Sequence, residues 1–185
     1  SWTGRFGERS KSALTVVAMI SLANRVYLDK RALLTRIHTQ LQTQTGTDAA
    51  VEHVRYYPSK ANKLEVRATV RPERFLDASY PVTTVELHVS FDFPTEFAYD
   101  FYRIQWVDPD RELMVGWHQD ETHMGLGECH FQLDYRGDTI HRAEAEFLDR
   151  HPRNVFDHRI AQLVDVVSGL TWTDGRPVIP DVTGE

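Results

Sequence analysis

The chain has one cysteine, Cys129, in 185 residues. That excludes an internal disulfide and any zinc site built from several thiolates. Long hydrophobic runs are also missing. The longest, Ala13 to Ala23, carries Thr15 and Ser21 and falls well short of the roughly 20 apolar residues that a membrane helix requires. No cleavage pattern follows it, so the expectation is a chain with no membrane contact and a cytoplasmic location. A glycine-rich phosphate loop, a nucleophile motif and a complete metal signature are all lacking. Lysine is scarce, at four against seventeen arginines, a usage that suits a high-GC or salt-tolerant source and says nothing about mechanism.

What remains is the composition of a globular domain: 41% hydrophobic residues, 11% aromatic and a mean hydropathy of -0.44, far from the signature of disorder. The net charge of -6 hides an asymmetry. Residues 1–75 hold 13 Lys or Arg against 6 Asp or Glu, and residues 76–185 hold 8 against 21. A basic N-terminal part points to a polyanion or to an acidic surface, including the chain's own second half.

Periodicity divides the chain three ways. Residues 1–75 read as a basic region: a loose arm over 1–10, a helix over Ser12–Leu28, and a second helix capped by Asp29 with Leu33, Leu34, Ile37 and Leu41 as its apolar stripe. Two strands follow, Val51–Tyr57 and Lys63–Val70, the second closed by Pro72. Helix, helix and hairpin resemble a winged helix, whose nucleic-acid contacts would fall to Lys30, Arg31, Arg36, Lys60 and Lys63. Residues 76–170 alternate in strand fashion over 82–93, 98–107, 111–118 and 128–135, with a further strand at Thr139–Arg142. A short helix at Ala143–Asp149 and a longer one over Phe156–Leu170, capped by Asn154 and with Phe156, Ile160, Leu163, Val164 and Val167 as its apolar stripe, complete that part. The fold class is therefore α+β: a curved antiparallel meander packed against a C-terminal helix, preceded by a small helical region with a hairpin. Residues 171–185 have the composition of a flexible tail.

Chemistry concentrates in WHQDETHMGLGECHFQL, residues 117–133, which puts three of the nine histidines, His118, His123 and His130, within thirteen residues. Side chains alternate along a strand. If the two flanking strands pair with their apolar faces in register, His118, Glu128 and His130 share the polar face, and Asp120 and His123 occupy the loop between them.

The order YRIQW, DPDRE, WHQDETH, CHF and a closing helix resembles the TumE-type toxins of toxin–antitoxin pairs. The resemblance spans about residues 82–167 and rests on His118, His123 and His130. Members of that family close with a His-x-His pattern, whereas this chain has His130-Phe131-Gln132. The resemblance implies a nucleic-acid-directed toxin, in particular a ribonuclease, and an antitoxin-like protein partner.

Three readings stay open. A metal-independent ribonuclease, needing no cofactor, would use His118 and His130 as acid and base, with His123 near them and Arg103 or Arg136 clamping the phosphate. A metalloprotein would draw a divalent transition metal to His118, Asp120, His123, Glu128 and His130. A non-enzymatic module would present the same residues as an interaction surface for nucleic acid or protein.

Overall fold

The computed structural model describes residues 30–92, 101–119, 129–146 and 151–179. The arm over 1–10, the helix expected at Ser12–Leu28 and the Asp29 cap lie outside them. The first described element is helix α1, Lys30–Gln42, which buries Leu33, Leu34, Ile37 and Leu41 as their three- and four-residue spacing requires. Strands β1 (Val51–Pro58), β2 (Lys63–Val70), β3 (Val85–Asp92), β4 (Phe101–Asp108), β5 (Leu113–Gln119), β6 (Cys129–Tyr135) and β7 (Asp138–Ala145) follow, with a one-turn helix α2 (Pro72–Leu76) between β2 and β3. Helix α3 (Pro152–Gly169) and a hairpin, β8 (Thr171–Thr173) with β9 (Arg176–Val178), close the described chain.

All seven long strands form one sheet in sequence order, each antiparallel to the next. The α+β meander with a C-terminal helix holds, with seven strands. The boundary expected near residue 76 falls inside this sheet, because β2 pairs with β3 from Glu65↔Ser90 to Val70↔Val85. The 51–70 hairpin is thus the first third of the sheet and not a wing beside it.

One sheet face is apolar. Across it run Val66, Val89, Ile104, Trp117 and Phe131 in one cross-strand row and Ala68, Leu87, Trp106, Val115 and Leu133 in another, and these side chains belong to a single core. Helix α1 covers this face over β1 to β3 and α3 covers it over β4 and β5. From α3 the core takes Val155, Phe156, Leu163 and Val167, together with Arg159, which is 2% exposed. Ile160 and Val164, expected in the stripe, sit at its margin.

Three expectations are corrected. Residues 143–145 are the end of β7 rather than a helix, since pairing with β6 (Cys129↔Ala145, Phe131↔Ala143) supplies backbone partners that a helix would have to break; residues 147–149 lie outside the described set. Helix α3 starts at Pro152 with His151 as its N-cap, not Asn154. A proline is favoured at the first helical position because its fixed φ suits the helix and its missing N–H has no partner there to lose. The 171–185 stretch is not wholly a tail: 171–178 pair as a hairpin around Asp174 (φ 50°) and Gly175 (φ 74°), the mirror-image turn that an Asp-Gly pair favours.

Candidate functional site on the polar sheet face

The face opposite the helices is polar. In one cross-strand row stand Glu65, Ser90, Arg103, His118, His130 and Glu144, and in the next Arg67, His88, Gln105, Gly116, Gln132 and Arg142. His118 and His130 are direct register partners. Their ring centroids are 5.3 Å apart with the planes crossed at 70°, the arrangement that apolar-face registry demands of these two strands. Both rings are screened from water, His118 at 8% and His130 at 1% exposure. Arg103 is the register partner of His118 on β4 and Glu144 that of His130 on β7; both are exposed. Arg103 has no ion-pair partner among the described residues.

Gln105 holds His118. Its amide nitrogen lies 2.6 Å from His118 Nε2 and donates to Met114 Sδ at 3.6 Å. An amide N–H donates, so in this contact His118 Nε2 takes the acceptor role. This reach needs Gly116, because a Cβ there would stand 2.9 Å from Gln105 Cα, 3.1 Å from its Cγ and against the Ile104 carbonyl oxygen. Gln132 is fixed by its own network. Its amide donates to both Asp134 carboxylate oxygens at 2.8 Å, and its carbonyl accepts from Arg142 at 3.0 and 3.3 Å.

Toward β1 the face carries Glu86, which accepts from Arg55 at 2.6 Å and meets His88 Nε2 at 2.7 Å. Burial raises the Glu86 pKa, but these two hydrogen bonds outweigh it and hold the carboxyl below its ordinary range. Arg67 pairs with Glu65 and stacks on Tyr57 at 3.6 Å.

The predicted site residues divide. His118, His130 and Arg103 come together. Arg136 does not: it sits in the β6–β7 turn with φ 53°, paired with Glu112 at 3.6 Å, six residues and so roughly 20 Å along the strand from His130. It is set aside as a phosphate clamp for this pair. Asp120, His123 and Glu128 lie outside the described residues, and the described residues hold no group of three His, Cys, Asp or Glu able to bind a metal.

Of the basic residues, Arg31 and Arg36 are exposed on α1 and Lys30 pairs with Asp92 at 3.2 Å. Lys63 donates to Thr35 Oγ1 at 3.1 Å and lies 4.3 Å above the Tyr56 ring. His38 stacks on the same ring at 4.3 Å. Burial lowers the His38 pKa and the charges of Lys63, His53 and Lys60 lower it further, against a backbone hydrogen bond at Val54 that raises it. Lys60 and Lys63 thus form a positive corner at the β1–β2 turn. That turn is at the end of the sheet that holds the histidine row, three strands away.

Sequence reasoning missed Gln105, Gly116 and Arg142. The only trace of the first two was alternation, which put Gln105 on the polar face and a glycine beside it. Scans against protein-family models, curated proteins and solved structures returned no match for this chain. No helix among the described residues is long and apolar enough to cross a membrane.

Proposed function

We propose that the polar face cleaves RNA phosphodiesters without a metal, with His118 and His130 as the acid–base pair and Arg103 as the cation for the phosphorane. The observation that carries this reading is the single cross-strand row Arg103, His118, His130. It sets two imidazoles, side chains suited to proton transfer, beside an arginine whose charge is not neutralised by a neighbouring carboxylate among the described residues.

In the reaction, one imidazole takes the proton of the 2′-hydroxyl as that oxygen attacks phosphorus. The other, as imidazolium, returns a proton to the departing 5′-oxygen, giving a 2′,3′-cyclic phosphate and a free 5′-hydroxyl. Gln105 serves both protonation states of His118: its N–H donates to the neutral ring, and the amide turned over accepts from the imidazolium. The positive corner at Lys60 and Lys63 would bind the backbone of a longer substrate. This is the activity of a nucleic-acid-directed toxin, and an antitoxin-like protein covering the polar face is the partner that goes with it.

The experiment is incubation with single-stranded RNA in excess chelator, with analysis of the product ends. Cyclic phosphate ends are expected; intact RNA, or cleavage abolished by chelator, contradicts the proposal. A second reading takes its support from the burial of His130, at 1% exposure: the face binds an anionic partner without turning it over. That reading predicts saturable RNA binding with no product.

A further inference from the structure

At the end of the sheet away from the histidines, the β4–β5 turn, the β6–β7 turn and the β8–β9 hairpin line an open cleft of about 490 Å³. Backbone bonding ties the two turns together, with Arg136 N–H donating to the Glu112 carbonyl at 2.8 Å. Its aromatic wall is Trp172, 40% exposed, with Tyr135 edge-on at 5.6 Å and 77°. Arg111 covers one face of the Trp172 ring at 4.1 Å from its centroid, leaving the rest of the indole open, and is tied to the buried Asp108 at 3.5 Å, so its charge is spent within the fold.

Three groups at the rim remain available. Asp110 is exposed and has no side-chain partner among the described residues. Arg136 and Glu112 are exposed by 68% and 66% at the side chain and pair at 3.6 Å, a contact of the weak surface kind, with Arg136 also lying over the Tyr135 ring at 5.1 Å.

An exposed indole gives a stacking surface for a planar ring. A free carboxylate is an acceptor only, so the ring it favours is one that presents N–H donors along an edge. Guanine is the base that offers two adjacent donors, N1–H and the N2 amino group, to a single carboxylate. An exposed guanidinium beside it suits phosphate.

We infer that this cleft binds a guanine nucleotide: the base stacks on Trp172, its N1–H and N2–H edge is read by Asp110, and its phosphate is held by Arg136. The ligand is a free mononucleotide or a guanosine phosphate within a single strand. Neither source depends on the histidine row.

Calorimetric titration of the full chain with GMP, AMP and guanosine tests the assignment, alongside single-stranded RNA oligomers with and without guanine. GMP is expected to bind at least about fivefold more tightly than AMP, the discrimination that a two-point edge contact supplies. Trp172→Ala should weaken GMP by about fivefold or more, and Trp172→Phe, which keeps a ring and the hairpin, by less. Asp110→Asn should bring GMP down to the level of AMP, and Arg136→Ala should bring it down to that of guanosine. Binding of GMP assigns the free nucleotide. Binding restricted to the guanine-containing oligomer, with the same dependence on Trp172 and Asp110, assigns the strand. His118→Ala should leave both unchanged, so loss of RNA cleavage and loss of nucleotide binding are separable. Equal affinity for GMP and AMP, full affinity in Trp172→Ala, or no binding of nucleotide or oligomer overturns the inference.

Discussion

Gly116 leaves no space for a side chain on the polar face, and the emptiness is used by its neighbour. The Gln105 side chain lies across it to meet Met114 and His118. If that amide orients His118 for proton transfer, Gln105→Leu should lower kcat about tenfold or more with little change in KM, because the ring loses a partner that it needs in both protonation states. Steady-state kinetics on an oligonucleotide decide it, and a change confined to KM would make Gln105 a binding residue instead. Two other residues set how stability depends on pH. Glu86 and His38 both titrate at a lower pH in the fold than in the unfolded chain. In each case the unfolded state binds more protons over the window, so the contribution is complete above the unfolded value and is lost as pH falls through the folded one. The His38 share begins to be lost below about pH 6.5 and that of Glu86 below about pH 4.5. Denaturation across this range should show stability falling steadily with acid, and His38→Gln should remove the first part of the decline. A His38→Gln protein with an unchanged profile would contradict the cause assigned to it.

Among the elements, α3 carries the heaviest packing load on the β4–β5 side of the sheet, since Leu163 is 0% exposed and Val155, Phe156 and Val167 are buried with it. Leu163→Ala should cost about 2–5 kcal/mol and Leu163→Asp should prevent folding, which chemical denaturation of the first and solubility of the second would reveal. A soluble, cooperative Leu163→Asp protein would show that the sheet does not need this helix.

The stripe of α3 was only half legible. Phe156, Leu163 and Val167 announced themselves by spacing, but a guanidinium in the core did not. Arg159 is buried because its donors meet Tyr102 Oη at 3.1 Å, Gln162 Oε1 at 2.6 Å and the Glu146 carbonyl at 2.5 Å, partners set by tertiary contacts that periodicity cannot register. Strand alternation, by contrast, exposes itself directly. The runs at 113–119 and 129–135 each set an apolar face against a polar one, and their registry puts His118 opposite His130. The β8–β9 hairpin has its own signal, Asp174-Gly175 between TWT and RPV, a strong short-range turn pair that the polar composition around it masks.

Over the whole molecule the sheet separates two kinds of surface. Among the described residues the long helices α1 and α3 and the core lie on one side and the titratable row on the other; of the basic residues of the first half, Lys60 and Lys63 stand at the β1–β2 turn and Lys30, Arg31 and Arg36 on α1, while Arg55 and Arg67 pair with carboxylates on the polar face. No charge asymmetry along the sequence could have shown that β1 and β2 share one sheet with β3 to β7, because pairing is a matter of register and not of composition. If the positive corner engages RNA, binding should weaken steeply with salt, and neutralising Lys60 and Lys63 together should reduce the log–log slope by about 1 to 2. Fluorescence anisotropy at several salt concentrations measures it, and an unchanged slope would move the backbone contacts elsewhere.

The central claim is that His118 and His130 act as one acid–base unit. It is tested most directly by the pH–rate profile of RNA cleavage in excess chelator for the wild-type protein, His118→Ala, His130→Ala and the double variant. The account predicts a bell for the wild type and a fall of about 100-fold or more for each single variant. The double variant should be little worse than either, because groups that work as a unit do not add. Wild-type cleavage rates in both single variants, with the bell intact, would contradict it.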